Sequence, residues 1–158
     1  MESMSIPTAT IEAAGRLLLA AFCGAAIGLN REWHHKPAGL RTHALVALGT
    51  AFCALIALQL TPLAGEPDDG AVSRVMQGIL AGVGFIGGGV ILHRDDPKGA
   101  HGLTTAASIW VTSAIGMGVG LGLWRTALWS LALTLAILML GRRVDRRIHG
   151  SHTDAPGE

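Results

Sequence analysis

The chain has 158 residues, half of them apolar and 15% charged, with 22 glycines, no tyrosine and a formal net charge of +1. An average soluble domain carries about 25% charged residues and about 7% glycine. The small net charge, with no Lys/Arg stripe interleaved with aromatics, excludes a nucleic-acid partner, and the long uncharged runs exclude an ordinary water-soluble core.

The chain opens with residues 1–12, read as a short extracytoplasmic tail. It carries Glu2 and Glu12 in place of a basic leader, and no A-x-A-like cleavage site follows, so the first apolar run is expected to be a retained helix. About 20 apolar residues are needed to cross roughly 30 Å of hydrocarbon. Five segments approach or reach that length: Ala13 to Leu29, His43 to Leu63, Val75 to Leu92, Leu103 to Leu123, and Trp124 to Leu140. The fold class is therefore an all-α, polytopic membrane helix bundle of about five spans over residues 13–140. Gly120, Gly122 and Arg125 predict a very short turn between the last two spans, with one long kinked segment as the alternative. Residues 141–158 form a short basic tail, expected to be disordered beyond its first helical turns.

Orientation follows from the basic residues. Arg31, Lys36, Arg41, Arg94, Lys98, Arg142, Arg143, Arg146 and Arg147 fall on one side, against Arg16, Arg74 and Arg125 on the other. Nine against three predicts an outside N-terminus and a cytoplasmic C-terminus, and all seven histidines fall on the cytoplasmic side. Trp33, Trp124 and Trp129 near helix ends suit interfacial anchoring, whereas Trp110 lies deeper and is expected to pack in the bundle. Cys23 and Cys53 read as small buried hydrophobes.

A gap-free shift of 63 residues aligns the first predicted hairpin with the second, matching among others Gly24 with Gly87, Arg31 with Arg94, Gly39 with Gly102 and Thr42 with Thr105. Two like-oriented hairpins plus a fifth helix would be a parallel repeat of the kind found in transporters. Helix-packing glycines recur at GxxxG spacing: Gly24/Gly28, Gly78/Gly82, Gly84/Gly88, Gly116/Gly120 and Gly118/Gly122. In lipid such faces permit close backbone approach, either within one chain or, on the third or fourth helix, between chains.

Candidate chemistry gathers at the predicted cytoplasmic end. Each hairpin corner carries Gly-Leu-x-Thr: Gly39-Leu40-Arg41-Thr42 and Gly102-Leu103-Thr104-Thr105. The glycines suit turns, and a threonine at a helix start is expected to cap free N–H groups. With Arg31, Arg41 and Arg94 beside two positive helix ends, the corner suits an anion, a lipid phosphate or a partner's carboxylates, with plain topology anchoring as the alternative. Thr104, Ser108 and Thr112 recur on one face and predict an interhelical polar seam. His34, His35, His93, His101, Glu32, Asp95 and Asp96 lack metal-ligand spacing and read as solvated loop residues. No metal or other cofactor is expected. Glycine carbonyls of the Gly82–Gly89 run would serve a Mg²⁺ path only if that helix were broken. With no nucleophile elbow, P-loop or paired buried carboxylates, the chain does not read as an enzyme.

Four ordered motifs carry a family resemblance: Gly28-Leu29-Asn30-Arg31-Glu32, Pro37-Ala38-Gly39-Leu40-Arg41-Thr42-His43-Ala44-Leu45-Val46, Gly82-Val83-Gly84-Phe85-Ile86-Gly87-Gly88-Gly89, and Gly102-Leu103-Thr104-Thr105-Ala106-Ala107. Over about Gly15 to Leu140 the chain resembles MgtC/SapB/YhiD-type membrane proteins, in the short SapB-like form. The resemblance implies a bacterial inner-membrane protein linked to growth in low Mg²⁺ and to virulence. It also implies regulation of another membrane protein, F-type ATP synthase in the case of MgtC, over Mg²⁺ transport. Two departures stand out: Asn30 replaces the glutamate usual in the family, and the C-terminal ACT-like cytoplasmic domain of MgtC has no counterpart here. The expected partners are the lipid bilayer and another membrane protein or a second copy.

Overall fold

The computed structural model describes residues 6–60, 69–92 and 102–149. They form five helices, α1 (Ile6–Glu32), α2 (Leu40–Leu60), α3 (Asp69–Leu92), α4 (Leu103–Gly120) and α5 (Trp124–His149), with no strand among the described residues. All five are long and apolar enough to cross a membrane. Uncharged runs leave a backbone in lipid no partner but itself, and the helix satisfies its N–H and C=O groups internally.

The helices group around α4, which touches every other helix and is the most deeply buried. α1 presents Ala20, Cys23, Ile27 and Arg31 to this centre, and α2 presents His43, Ala47, Thr50, Ala51 and Ala54. Both are stripes at three- and four-residue spacing, the recurrence that places side chains on one helix face. α5 adds Ala127, Leu131 and Leu138 to the same core and turns Trp129, Leu133 and Ile137 outward. Cys53, expected to be buried, is exposed. Trp110 is 47% exposed, contrary to the expectation of a bundle-packed tryptophan, because α4 turns its small and hydroxylated residues inward.

Glycine and alanine set the helix separation. A Cβ at Gly28 would lie 2.6 Å from Leu40 Cα, one at Gly24 2.8 Å from Ala47 Cβ, and one at Gly116 2.8 Å from Ala47 Cα. One at Gly120 would lie 2.9 Å from Ala51 Cα. α1, α2 and α4 thus meet backbone against backbone. By contrast, a Cβ added at Gly78, Gly82, Gly84 or Gly88 of α3 would meet nothing within 4 Å, so these four expected packing glycines face no other helix among the described residues.

The 63-residue shift reappears in three dimensions. α2 starts at Leu40 and α4 at Leu103. Gly24 abuts His43, and its counterpart Gly87 abuts Ala106; Gly28 abuts Gly39, and its counterpart Ile91 abuts Gly102. Each hairpin therefore closes through the same pairs of positions.

Two helices end in Schellman motifs, in which a left-handed residue lets two N–H groups fold back onto the helix's last carbonyls. After α4, Gly122 (φ +87°) permits Leu123 N–H to reach Gly118 O and Gly122 N–H to reach Val119 O. After α1 the same pattern runs from Lys36 to Arg31 and from His35 to Glu32, with His35 (φ +51°) in the left-handed position. α5 continues without a break from Trp124 through His149, so the first turns of the basic tail extend the last span as helix.

Candidate functional site

Both Gly-Leu-x-Thr corners lie at one end of the bundle, joined by side chains that the helix starts themselves position. Arg31, in the last turn of α1, points inward and is only 2% exposed. Its Nη2 donates to Thr105 Oγ1 at 2.6 Å, linking the first hairpin to the start of α4. A cation removed from water is expensive, so such residues face the interior and bond to polar groups there. Arg31 is accordingly an internal clamp, not the outward docking residue the sequence suggested.

Next to it, the Glu32 carboxylate accepts from Leu40 N–H at 2.8 Å. That is the capping role expected of a threonine, and the positive end of α2 is already served by a carboxylate of its own chain. Thr42 and Thr105 each lie two residues inside their helices, too late to act as caps, and Gly102 at the N-cap of α4 makes no side-chain cap bond. The hydroxyl seam is shifted as well. Thr104 is exposed, while Thr105, Ser108, Thr112 and Ser113 are buried. Ser108 donates to Thr105 O and Thr112 to Ser108 O, both at 2.8 Å, so each satisfies itself largely on its own helix.

A residue that sequence reasoning misses sits at the centre. His43 is fully buried, with Nδ1 3.0 Å from Gly39 O and Nε2 3.1 Å from Ser108 Oγ. Its only sequence signal is an ionisable side chain one turn into an apolar span. Leu40, Arg41, Leu103 and Thr104 remain exposed around this core, with Thr42 and Gly39 partly so. Arg94 lies outside the described residues.

His34 and His35 are exposed, and no group of three or more metal-binding side chains occurs among the described residues. An open groove of about 350 Å³ runs between α1 and α5, lined by Ala26, Leu29, Asn30, Trp33, His34, Leu135 and Met139. Its lining is mostly apolar and includes no carboxylate.

At the opposite end Arg16, paired with Glu12 on α1, donates through Nη1 to Gly120 O at 2.9 Å. A cation at the last carbonyls of α4 complements the negative end of that helix. The sequence shows the i,i+4 pair but not its reach to α4.

This arrangement, with motif residues converging on one corner, coincides with a match of the MgtC family model to residues 17–147. The chain belongs to the MgtC family. This MgtC-family chain is 44% identical over 138 residues to Protein SrpB of Synechococcus elongatus, covering 83% of itself and 75% of that protein. It is 39% identical over 140 residues to the Putative magnesium transporter YhiD of Escherichia coli K12, at 84% and 62% coverage. With Protein MgtC of Salmonella typhimurium the identity is 37% over 142 residues, at 90% and 58% coverage. The chain thus spans about six-tenths of YhiD and MgtC. No solved structure matches it.

Proposed function

We propose that this MgtC-family protein is a non-enzymatic regulator in the bacterial inner membrane, acting by binding another membrane protein under Mg²⁺ limitation or related stress. The observation that supports this reading is the packing of α1, α2 and α4. Their backbones touch at Gly24, Gly28, Gly116 and Gly120, and two side-chain hydrogen bonds, Arg31 to Thr105 and His43 to Ser108, link them. A Mg²⁺ carrier needs an oxygen-lined path, because the ion keeps octahedral oxygen ligation and loses water reluctantly. The tight three-helix centre favours a scaffold. Its working surfaces are the exposed edge of the corner, Leu40, Arg41, Leu103 and Thr104, and the open glycine face of α3, where a partner's transmembrane helix can approach closely. The positive-inside count supports a cytoplasmic position for that corner.

The second reading, a cation transporter, is favoured by the name of one relative, a putative magnesium transporter. Purified protein in liposomes separates the two. No Mg²⁺ or proton flux, with specific co-purification of a membrane partner that is weakened by Arg41→Ala, supports the regulator. Saturable Mg²⁺ flux refutes it, and recovery of only a second copy of the chain redirects the partner assignment to self-association.

A further inference from the structure

The two hydrogen-bond partners of the His43 ring restrict which nitrogens carry hydrogen, a property that neither family membership nor the regulator reading contains. Gly39 O is a carbonyl and only accepts, so the ring nitrogen facing it, Nδ1, carries a hydrogen. Ser108 has one hydroxyl hydrogen and two acceptors within its reach, Thr105 O at 2.8 Å and His43 Nε2 at 3.1 Å. When that hydrogen lies on Thr105 O, Ser108 offers Nε2 only lone pairs, and Nε2 then carries a hydrogen of its own. Both ring nitrogens donate in this arrangement, and an imidazole with two N–H groups is the cation.

A neutral ring is also accommodated, by one rotation. With Nδ1–H still on Gly39 O, the Ser108 hydroxyl turns its hydrogen from Thr105 O to the bare Nε2. No other bond need be lost, since a helical carbonyl has a backbone N–H as its regular donor partner. Transfer of a proton from hydronium to Nε2 breaks one O–H bond, releases water, forms one N–H bond to give imidazolium, and sends the Ser108 hydroxyl back to Thr105 O.

We propose that His43 is a proton-binding site whose occupancy sets the polarity of the α2–α4 link at the Arg31 corner, with Ser108 as the rotor that reads it.

Among the described residues, the charged groups around it are few. From α1 come Arg31, joined to Thr105 Oγ1, and Glu32, held on Leu40 N–H; α2 itself brings exposed Arg41. α4 contributes only the hydroxyls of Thr105, Ser108 and Thr112, and the described end of α3, Val90 to Leu92, has no ionisable side chain. Thr105 is shared: its hydroxyl takes Arg31 and its carbonyl takes Ser108. A proton on His43 places a second positive charge beside Arg31 and so bears on how α1 and α4 are held together.

The test is nitrogen NMR of the full-length protein, labelled with ¹⁵N-histidine and reconstituted in lipid nanodiscs, from about pH 5 to pH 8, where histidines ordinarily change charge. His43 is assigned through its backbone and by loss of its signals in His43→Gln. The expected result is the Nδ1–H tautomer at high pH converting to a ring with both nitrogens protonated at low pH. In Ser108→Ala the protonated ring loses a charge-assisted bond, and proton affinity falls by about fivefold, the equivalent of about 1 kcal/mol. Three results would overturn the proposal: the Nε2–H tautomer at high pH, an unchanging ring across the range, or a wild-type midpoint in Ser108→Ala. The first two are read from the wild-type protein alone, so the proposal stays open to refutation even if a variant does not fold.

Discussion

Gly116→Ala and Gly82→Ala are the same chemical change on neighbouring helices, and the structure assigns them different outcomes. At Gly116 the added methyl would sit 2.8 Å from Ala47 Cα and closer still to the Thr50 hydroxyl and the Ala47 carbonyl. Carbon atoms rest about 3.5–4.0 Å apart, so α2 and α4 must separate by about 1 Å at this point. A gap of that size forfeits about a quarter to a half of each dispersion contact, individually about 0.1–0.2 kcal/mol. Over roughly thirty atom pairs the loss is about 1–3 kcal/mol, the usual range for overpacking. At Gly82 an added Cβ meets nothing within 4 Å, and alanine is the better helix former by up to about 1 kcal/mol. That gain applies equally at Gly116 inside α4 and cancels in the comparison, so equilibrium unfolding of the purified protein in mixed micelles with increasing SDS should separate the two variants by the overpacking loss alone, about 1–3 kcal/mol, Gly116→Ala being the weaker. Equal stabilities within about 0.5 kcal/mol, the ordinary spread of surface substitutions, would refute the backbone-on-backbone contact of α2 with α4.

Further outcomes follow from the corner and the turns. Arg31→Ala removes a buried charged donor from Thr105 and should lower stability by about 1.5–3 kcal/mol in the same assay, with Arg31→Lys intermediate because it keeps charge but loses the guanidinium fork. Glu32→Ala frees the Leu40 N–H and should reduce stability by about 0.5–2 kcal/mol, whereas Glu32→Gln, which keeps an acceptor oxygen, should lose less. The two left-handed turn positions should respond oppositely. Gly122→Ala is expected to destabilise by about 1–2 kcal/mol, and His35→Gly to be neutral or stabilising by up to about 1 kcal/mol, both read as shifts in thermal unfolding.

The candidate site is legible in the sequence only in part. Gly39, Gly102 and the two threonines stand out as corner motifs because turns demand particular residues at particular offsets. What the threonines do is not legible, since Thr105 is a partner for Arg31 and the capping group for α2 is Glu32, eight residues upstream across the turn. Cap geometry depends on which residue begins the helix, and Leu40 and Leu103 begin theirs two positions before Thr42 and Thr105. His43 escapes notice because a histidine near a span's end looks interfacial; only the approach of α1 at Gly24 and of α4 at Ser108 buries it.

Length and hydropathy alone determined that five segments are helices able to cross a bilayer, because a lipid-facing backbone has to satisfy its own hydrogen bonds whatever its neighbours are. Tertiary structure alone decided which GxxxG faces are filled: Gly24, Gly28, Gly116 and Gly120 meet another backbone, while Gly78, Gly82, Gly84 and Gly88 meet none among the described residues. The spacing is identical in both sets. A glycine becomes a contact only when a second helix is there to occupy the space its missing side chain leaves, and that depends on how the helices are arranged around α4.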